Sequence, residues 1–376
     1  MKENASALYS KYVIDGIRME VTPGQMLDAA CGQPSAGEEY EPIVDERPDP
    51  DPTPVVYDPY RIGEYLEKTS AAASPRKVPA GYADSFTRGC IAQALAGMLW
   101  REGHFRLDDL HVHLGWKWNE APVGAMTGFY ASVEAACDYL DGLGLPLSGY
   151  SYAEARTQSL TVRCGLSKAS EQRASDEEDP IFQELPFRTL RPRLGTRRKC
   201  AATLSGSTDS WVIYIPFDTC SFRLGGSLLS EELGTPGGKA PDIMEPDYFI
   251  DCFEVVRELV EDGIVLAGET VGDGGLMTAI GRMCGDMGLA VDLSGLVKAY
   301  GEQDTVRLLF AEVPGVLIEI RDYDFDYIDA ELLLQDVAYY PLGRPNRSGR
   351  ITVSDTDGIS GILGSLLGEG AVEGED

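Results

Sequence analysis

The residues best suited to chemistry lie in a glycine-rich stretch, Gly268 to Leu276, which reads GETVGDGGL. An apolar run, Ile264 to Ala267, precedes this stretch, and a segment with helical character, Leu276 to Met287, follows it. Strand, glycine-rich turn and helix often form a phosphate site, because glycine lets the backbone approach an anion and the first N–H groups of the helix point towards it. The turn is therefore the first candidate for a phosphate or nucleotide site.

Two acids in this stretch allow two interpretations. Asp273 could be a carboxylate ligand of a metal ion, and Glu269 could join it, since Mg²⁺ prefers hard oxygen ligands. Alternatively, Asp273 caps the helix that follows, where the exposed N–H groups and the helix dipole favour an acid. We expect the capping role.

Other groups that catalyse reactions or bind metals are sparse. His111 and His113 fall on one face of a predicted strand, a spacing that can chelate a metal, but no third ligand is visible and we expect satisfied or solvent-facing histidines. With His104 as the third histidine of the chain, no Ser/His/Asp or Cys/His set can be assembled. The eight cysteines contain no C-x-x-C pair, which predicts free thiols and a reducing, cytoplasmic compartment. The sequence thus predicts no catalytic residue.

The chain is strongly acidic. Its 376 residues include 61 acidic and 32 basic ones, a formal net charge of −29. Binding to nucleic acids or to anionic membranes depends on lysine and arginine that neutralise phosphates, so we expect neither kind of partner. No apolar run has the length of a membrane-spanning helix.

Polar and proline-containing segments divide the chain into five parts. We predict an acidic, proline-rich segment or linker at 1–80, a globular unit at 81–165, a polar linker at 166–204, a second globular unit at 205–355 and an acidic tail at 356–376.

Apolar periodicity predicts a mixture of helices and strands in both units. The expected elements are a strand at 110–114, a helix from Phe129 to Gly142, a strand at 211–215, a helix from Pro246 to Gly263, a hairpin joining 308–310 to 316–320, a helix at 325–337 and a strand at 351–353.

Several short motifs occur in the order and approximate spacing of a known family. In the second unit, segments 223–227, 266–270, 274–276 and 309–315 read RLGGS, LAGET, GGL and LFAEVPG. In the first unit, segments 92–97, 129–135 and 145–149 read AQALAG, FYASVEA and LPLSG. These segments resemble RLGGS, LAGHDISxGGL, LFSExPG, AEALTN, LYxAVEA and xxPxGKDS of phosphoribosylformylglycinamidine synthase, in the second half of its synthetase region.

The resemblance implies an α+β chain with two subdomains of the kind shared with aminoimidazole ribonucleotide synthetase. One would be a ferredoxin-like sheet-and-helix subdomain, and the following one an α/β subdomain. The family enzyme makes formylglycinamidine ribonucleotide from formylglycinamide ribonucleotide, ATP and glutamine-derived ammonia. The nucleotide- or phosphate-binding candidates that the resemblance implies are Gly225, Gly226, Ser227, Asp273, Gly274 and Gly275.

The chain departs from the family at the positions that hold metal and phosphate. The Glu and Asn of AEALTN are Gln93 and Gly97, and the Asp of HDIS is Thr270. The remaining replacements are Gly272 for the Ser of HDIS, Glu269 for its His, and Tyr150 and Ser151 for the Lys and Asp of GKDS. The resemblance therefore implies degenerate metal positions at Gln93, Gly97 and Thr270 and no cofactor, with Mg-ATP or Mg-ADP expected only if the chain works in a complete enzyme.

Three functions remain open. The first is a half-length, degenerate relative without independent ATP-dependent activity, with a structural or regulatory role through pairing with itself or with a first-half synthetase protein. The resemblance implies that an unpaired half exposes an apolar sheet face. The second is a subunit of a split, active synthase completed by a separate first half and a glutaminase. The third is an interaction protein that uses residues 1–80 for recognition.

Overall fold

The computed structural model of the chain describes residues 5–35, 40–48, 61–62, 65, 77–166, 197–234 and 238–354. Within these ranges the helices are α1 (Ala5–Tyr9), α2 (Pro23–Ala30), α3 (Ala83–Ala96), α4 (Ala125–Gly142), α5 (Leu228–Leu233), α6 (Pro246–Glu261), α7 (Gly275–Cys284), α8 (Ser294–Tyr300), α9 (Thr305–Phe310) and α10 (Phe325–Leu334). The strands are β1 (Tyr12–Ile14), β2 (Ile17–Arg18), β3 (Ile43–Asp45), β4 (Leu110–Trp118), β5 (Leu147–Glu154), β6 (Ser159–Leu166), β7 (Ser210–Pro216), β8 (Ala267–Val271), β9 (Gly288–Asp292), β10 (Gly315–Arg321), β11 (Tyr340–Gly343), β12 (Pro345–Asn346) and β13 (Ile351–Ser354).

The chain has an α+β fold, as predicted, and divides into two compact units. Unit 1 comprises residues 1–51, 74–198 and 243–257, and unit 2 comprises residues 52–73, 199–242 and 258–376. The α6 helix contributes its first part to unit 1 and its last residues to unit 2.

The central sheet of unit 1 has the strand order β5-β4-β6. β4 pairs in parallel with β5 and antiparallel with β6. Its even-numbered residues, from Leu110 to Trp118, are buried. The Phe129 ring of α4 packs on this face, with centroids 6.1 Å from Trp116 and 5.6 Å from Trp118. The predicted strand at 110–114 and the predicted helix ending at Gly142 are confirmed.

The chain before residue 49 adds a small sheet, in the order β2-β1-β3, to unit 1. Tyr12 of β1 is fully buried, and its ring lies 5.3 Å from that of Tyr130 on α4. The α2 helix begins with a capping box, in which Thr22 accepts from the N–H of Gln25 and the Gln25 side chain accepts from the N–H of Thr22. Strands of two or three residues carry too few alternations for a periodicity argument, so the sequence did not reveal them.

A buried arginine fixes the segment that follows α3 in unit 1. The Arg257 guanidinium on α6 is fully buried and donates to the carbonyl oxygens of Leu99 at 2.6 Å, Arg101 at 2.7 Å and Gly103. It also lies 3.9 Å from the centroid of the Phe105 ring. The buried charge is thus stabilised by carbonyl dipoles and an aromatic face.

The main sheet of unit 2 has the strand order β11-β7-β10-β8, with antiparallel pairing throughout. β10 lies between β7 and β8, and its first six residues are buried. They include Glu319, whose carboxylate accepts from the N–H and hydroxyl of Ser205 and from the hydroxyl of Ser210, each at 2.8 Å. These donors offset the cost of burying the carboxylate.

The predicted hairpin in unit 2 is wrong. Residues 305–310 form helix α9 instead of a strand, and β10 pairs with β7 and β8. A short apolar run is compatible with either a buried strand or a buried helix. Asp304 decides the outcome, since its carboxylate accepts from the N–H groups of Val306 at 3.0 Å and Arg307 at 3.4 Å and so caps the helix.

Two further features concern membrane-spanning helices and cysteines. No helix in the part that the structure describes is long and apolar enough to cross a membrane. All eight cysteines lie in described ranges and are free thiols, as predicted.

Candidate functional site

The glycine-rich stretch is shared between a strand and a turn. β8 extends from Ala267 to Val271, so Gly268, Glu269 and Thr270 are strand residues that pair with Ile318, Leu317 and Val316 of β10. The turn itself consists of residues 272–274, and α7 begins at Gly275 and ends at Cys284. The strand expected at the apolar run 264–267 is therefore displaced. β8 begins only at Ala267 and continues to Val271, because its pairing with β10 extends into the glycine-rich stretch.

Gly274 and Gly275 have backbone conformations and neighbours that exclude a side chain. Their φ angles are +76° and +69°, in the left-handed region. A Cβ atom on Gly275 would lie 2.7 Å from the carbonyl oxygen of Leu309, and one on Gly274 would lie 2.4 Å from Oγ1 of Thr278. The two glycines thus allow α7 to start against the backbone at the end of α9.

The RLGGS turn of unit 2 shows the same dependence on close backbone packing. The N–H of Gly225 donates to the carbonyl of Lys239 at 2.9 Å, and a Cβ atom on Gly225 would lie 2.5 Å from the carbonyl oxygen of Gly238. Gly226 has a φ of +71°. Ser227 is the N-cap of α5 and accepts from the N–H of Ser230 at 3.2 Å.

One carboxylate connects the two glycine turns. Oε1 of Glu312 accepts from the N–H of Leu228, the first residue of α5, at 2.9 Å and from the N–H of Gly274, the N-cap of α7, also at 2.9 Å. A carboxylate of the chain therefore accepts from backbone N–H groups at both candidate turns. The family motif LFSExPG also has a Glu at the position of Glu312, and this match was the available signal for a role of the residue.

The other acids of the glycine-rich stretch have distinct surroundings. Glu269 forms an ion pair with Arg282 of α7, with 3.0 Å between Oε1 and Nε. Arg282 also donates to the carbonyl of Thr270 at 3.3 Å. Asp273 is half-buried and precedes the N-cap, which is Gly274. Asp273 therefore lies one residue before the N-cap of α7, and its expected interaction with the helix start stays a prediction.

The positions that match the metal ligands of the family are found in both units. Gln93 lies in the last turn of α3 and Gly97 is the C-cap of that helix, both in unit 1, whereas Thr270 belongs to β8 in unit 2. Among the residues that the structure describes, no group of three or more His, Cys, Asp or Glu side chains is close enough to hold a metal ion.

Tyr150, which stands where the family motif GKDS has its lysine, belongs to a hydrogen-bonded cluster in unit 1. Its hydroxyl donates to Oδ1 of the buried Asp28 at 2.7 Å, and the hydroxyl of Tyr9 donates to Oδ2 at 3.1 Å. Burial, followed by the hydrogen bond to Tyr9, raises the pKa of Tyr150 well above its usual value. The phenol thus remains neutral and joins β5 to α2 and to Tyr9 of α1.

His111 and His113 lie on the same face of β4, as predicted, and both are half-buried. In the antiparallel register with β6, His111 is opposite Gly165 and His113 is opposite Arg163. A neighbouring arginine disfavours a bound cation, so this pair does not resemble a metal site.

Comparisons with known proteins agree with the resemblance. No family model matches the chain. It is 26% identical over 273 residues to the phosphoribosylformylglycinamidine synthase of Drosophila melanogaster, which covers 69% of this chain and 19% of that protein. It is 27% identical over 162 residues to the Homo sapiens phosphoribosylformylglycinamidine synthase, which covers 41% of this chain and 12% of that protein.

A solved structure shows the same fold. T. maritima PurL complexed with FGAR aligns with a TM-score of 0.50 at 15% sequence identity, covering 80% of this chain and 45% of that chain. The chain spans about a fifth or less of the length of the curated relatives it matches. In sequence and in fold, the chain is a divergent relative of the phosphoribosylformylglycinamidine synthases.

Proposed function

We propose that the chain is a half-length, degenerate relative of phosphoribosylformylglycinamidine synthase that lacks independent ATP-dependent activity and acts through pairing with another protein. The observation that carries this proposal is the replacement of the family's Glu, Asn and Asp metal positions by Gln93, Gly97 and Thr270. The Glu312 carboxylate, at a position where the family motif LFSExPG also has Glu, accepts from N–H groups at both glycine turns, so a phosphate there would meet a negative charge.

Electrostatics supports this reading of the turns. Two like unit charges 4 Å apart repel by about 4 kcal/mol at the effective dielectric constant near a protein surface. A phosphate at these amides would have to displace Glu312 or accept that repulsion. Gln93, Gly97 and Thr270 supply no carboxylate for a charge-neutralising Mg²⁺.

Calorimetric titration with ADP and Mg²⁺ tests the nucleotide part of the proposal. We expect no saturable heat with the full chain, and unchanged thermal unfolding in the same buffer. Saturable binding, accompanied by a ligand-dependent rise in the unfolding temperature, would show that the turns still hold a nucleotide.

Pairing is the second part of the proposal, with the partner being another copy of the chain or a first-half synthetase protein. Light scattering on the purified chain, alone and mixed with such a first-half protein, measures the mass in solution. We expect a mass of at least two chains in one of the two samples. A single-chain mass in both samples would contradict pairing. We place this role in the cytoplasm and expect no nucleic-acid or membrane partner, in keeping with the net charge of −29.

A split, active synthase is the alternative. The observation in its favour is the coverage, since the chain spans only 19% of the Drosophila melanogaster relative. In that case neighbouring genes should encode a first half and a glutaminase. Mixing the three purified proteins with formylglycinamide ribonucleotide, glutamine and Mg-ATP should then form the amidine product, and omission of this chain should abolish it.

A further inference from the structure

One face of the sheet in unit 1 has no fully buried residue among the residues that the structure describes. It consists of the odd-numbered residues of β4, β5 and β6 within 111–117, 149–153 and 159–165, which we call the open face. The register places Arg163 opposite His113, Thr161 opposite Gly115 and Ser159 opposite Lys117. Every residue of the open face is exposed or half-buried, in contrast to the even-numbered residues of β4.

The charge of the open face is opposite to that of the chain. The chain carries a formal charge of −29, yet the open face contains Lys117, Arg163, His111 and His113 and no aspartate or glutamate. Lys117 and Arg163 are both exposed, and in the described ranges neither side chain has a hydrogen-bond or ion-pair partner. Two positive groups on adjacent strands therefore remain available to an anionic partner.

The open face is polar and has three glycines, Gly115, Gly149 and Gly165. The His111 ring lies over Gly165, where a Cβ atom would be 2.9 Å from Nε2, and the His113 ring lies over Gly149, where a Cβ atom would be 3.2 Å from Nδ1. The large exposed apolar side chains of the described residues all lie elsewhere, and Ala153 is the one apolar residue of this face with a side chain. The exposed apolar sheet face that the resemblance implied is thus not found on this sheet.

We propose that the open face is a docking surface for an acidic polypeptide of a partner protein. Charge complementarity is the argument, because cations without counter-ions on an acidic chain attract carboxylates and lower the repulsion that an acidic partner would otherwise meet. A second copy docked through the same face would bring the Arg163 and Lys117 side chains of the two copies together, and these like charges repel. Nucleic acid needs more phosphate contacts than two cations supply and is repelled by the rest of the chain. The inference deepens the proposed pairing and rests on it.

A labelled peptide of consecutive glutamates is the probe, because the chain as a whole repels it and any binding must be local. Fluorescence anisotropy at low salt would be measured for the full chain, for Lys117→Glu combined with Arg163→Glu, and for the control pair Arg18→Glu and Lys77→Glu. The control residues are exposed, belong to unit 1 and change the net charge equally. We expect the wild type to bind, the open-face variant to bind at least about tenfold more weakly, and the control pair to retain most of its affinity.

Three results would overturn the inference: no binding by the wild type, equal loss in the control pair, or preferential binding of a single-stranded oligonucleotide of similar charge. Circular dichroism and the urea midpoint check that the variants are folded, and Arg163→Gln provides a milder change should the double reversal fail to fold. Light scattering decides the pairing separately, so a chain that pairs but does not bind the peptide would refute the open face alone.

Discussion

At the scale of single residues, Glu312 is the side chain on which the account depends. Its Oε1 atom accepts from two amides that belong to different turns, at 2.9 Å each. Hydrogen bonds to a charged acceptor are stronger than neutral ones, so this contact stabilises both helix starts at once. The same contact leaves the turns with a negative charge already in place.

Replacing Glu312 with alanine leaves the N–H groups of Leu228 and Gly274 without this acceptor. We expect Glu312→Ala to lower the free energy of unfolding by about 1–3 kcal/mol, and Glu312→Gln to cost less because its amide oxygen still accepts. Urea denaturation measures both. Asp286→Ala is the control, since Asp286 is exposed in the same unit. Equal midpoints for the wild type and Glu312→Ala would show that the two hydrogen bonds contribute nothing.

Arg257 makes a second residue-scale prediction, for unit 1. Methionine at this position would keep much of the volume but leave the carbonyls of Leu99, Arg101 and Gly103 without their donor. We expect Arg257→Met to cost about 3 kcal/mol or more, because buried acceptors would be left unsatisfied. Arg257→Lys should recover only part of the loss. The lysine ammonium still donates hydrogen bonds, but it reaches fewer carbonyls than the guanidinium fork. A midpoint unchanged in Arg257→Met would show that water replaces the guanidinium at no cost.

At the scale of elements, β3 and α4 show how the N-terminal part is integrated into unit 1. The Asp45 carboxylate, at the end of β3, accepts from the N–H of Gly124 at 2.8 Å and from those of Met126 and Thr127 at 3.0 Å each. A long-range residue thus caps the longest helix of the described chain. Residues 5–35 and 40–48 are therefore part of a packed unit, which weakens the idea that 1–80 is a separate recognition segment.

Removal of the Asp45 carboxylate should weaken the start of α4. We expect Asp45→Ala to cost about 1–2 kcal/mol, with Asp45→Asn intermediate, because the cap and its favourable interaction with the helix dipole are lost. Hydrogen exchange of the Met126 and Thr127 amides provides a local measurement. Faster exchange at those amides is expected, and unchanged protection would contradict the capping role; Glu46→Ala serves as the neighbouring control.

The sequence predicted long elements better than short ones. β4 and α4 were recognisable because the alternation at 110–114 and the helical periodicity at 129–142 leave little ambiguity, although the elements themselves are longer. The strands of the β2-β1-β3 sheet were not, since their pairing partners are distant and their runs are short. At the site, the glycine turns were located from their residue types, whereas the role of Glu312 depends on a tertiary contact between residues 38 and 84 positions apart.

At the scale of the whole molecule, three buried or half-buried thiols couple stability to alkaline pH. Burial raises the pKa of Cys137, Cys164 and Cys284 to about 12. An unfolded cysteine titrates near pH 8.5, so the unfolded state releases these protons first. The stability that the neutral thiols contribute is present below about pH 8.5 and is lost progressively as the pH rises towards about 12.

Urea midpoints on either side of the thiol pKa test this coupling. We expect a lower midpoint at about pH 10 than at about pH 8, and a smaller difference in a Cys137→Ala variant. Thiol titration with a chromogenic disulfide should be slow in the native chain and should report all eight thiols after unfolding. A midpoint that rises with pH over this range would contradict the sign of the argument.

The whole molecule combines a shared scaffold with an altered site. The fold matches T. maritima PurL at a TM-score of 0.50, while the sequence identity is 15%. Glycines at backbone contacts and the apolar cores preserve the scaffold, whereas the residues that match the family's metal positions have changed at Gln93, Gly97 and Thr270. This combination is what the proposed function requires of the sequence.

A crystal structure of the chain soaked with ADP and Mg²⁺ tests the central claim most directly. The account predicts that Oε1 of Glu312 stays within hydrogen-bonding distance of the N–H groups of Leu228 and Gly274, with no phosphate at either glycine turn. A phosphate bonded to those two amides, with the Glu312 carboxylate turned away and a metal ion beside it, would contradict the account.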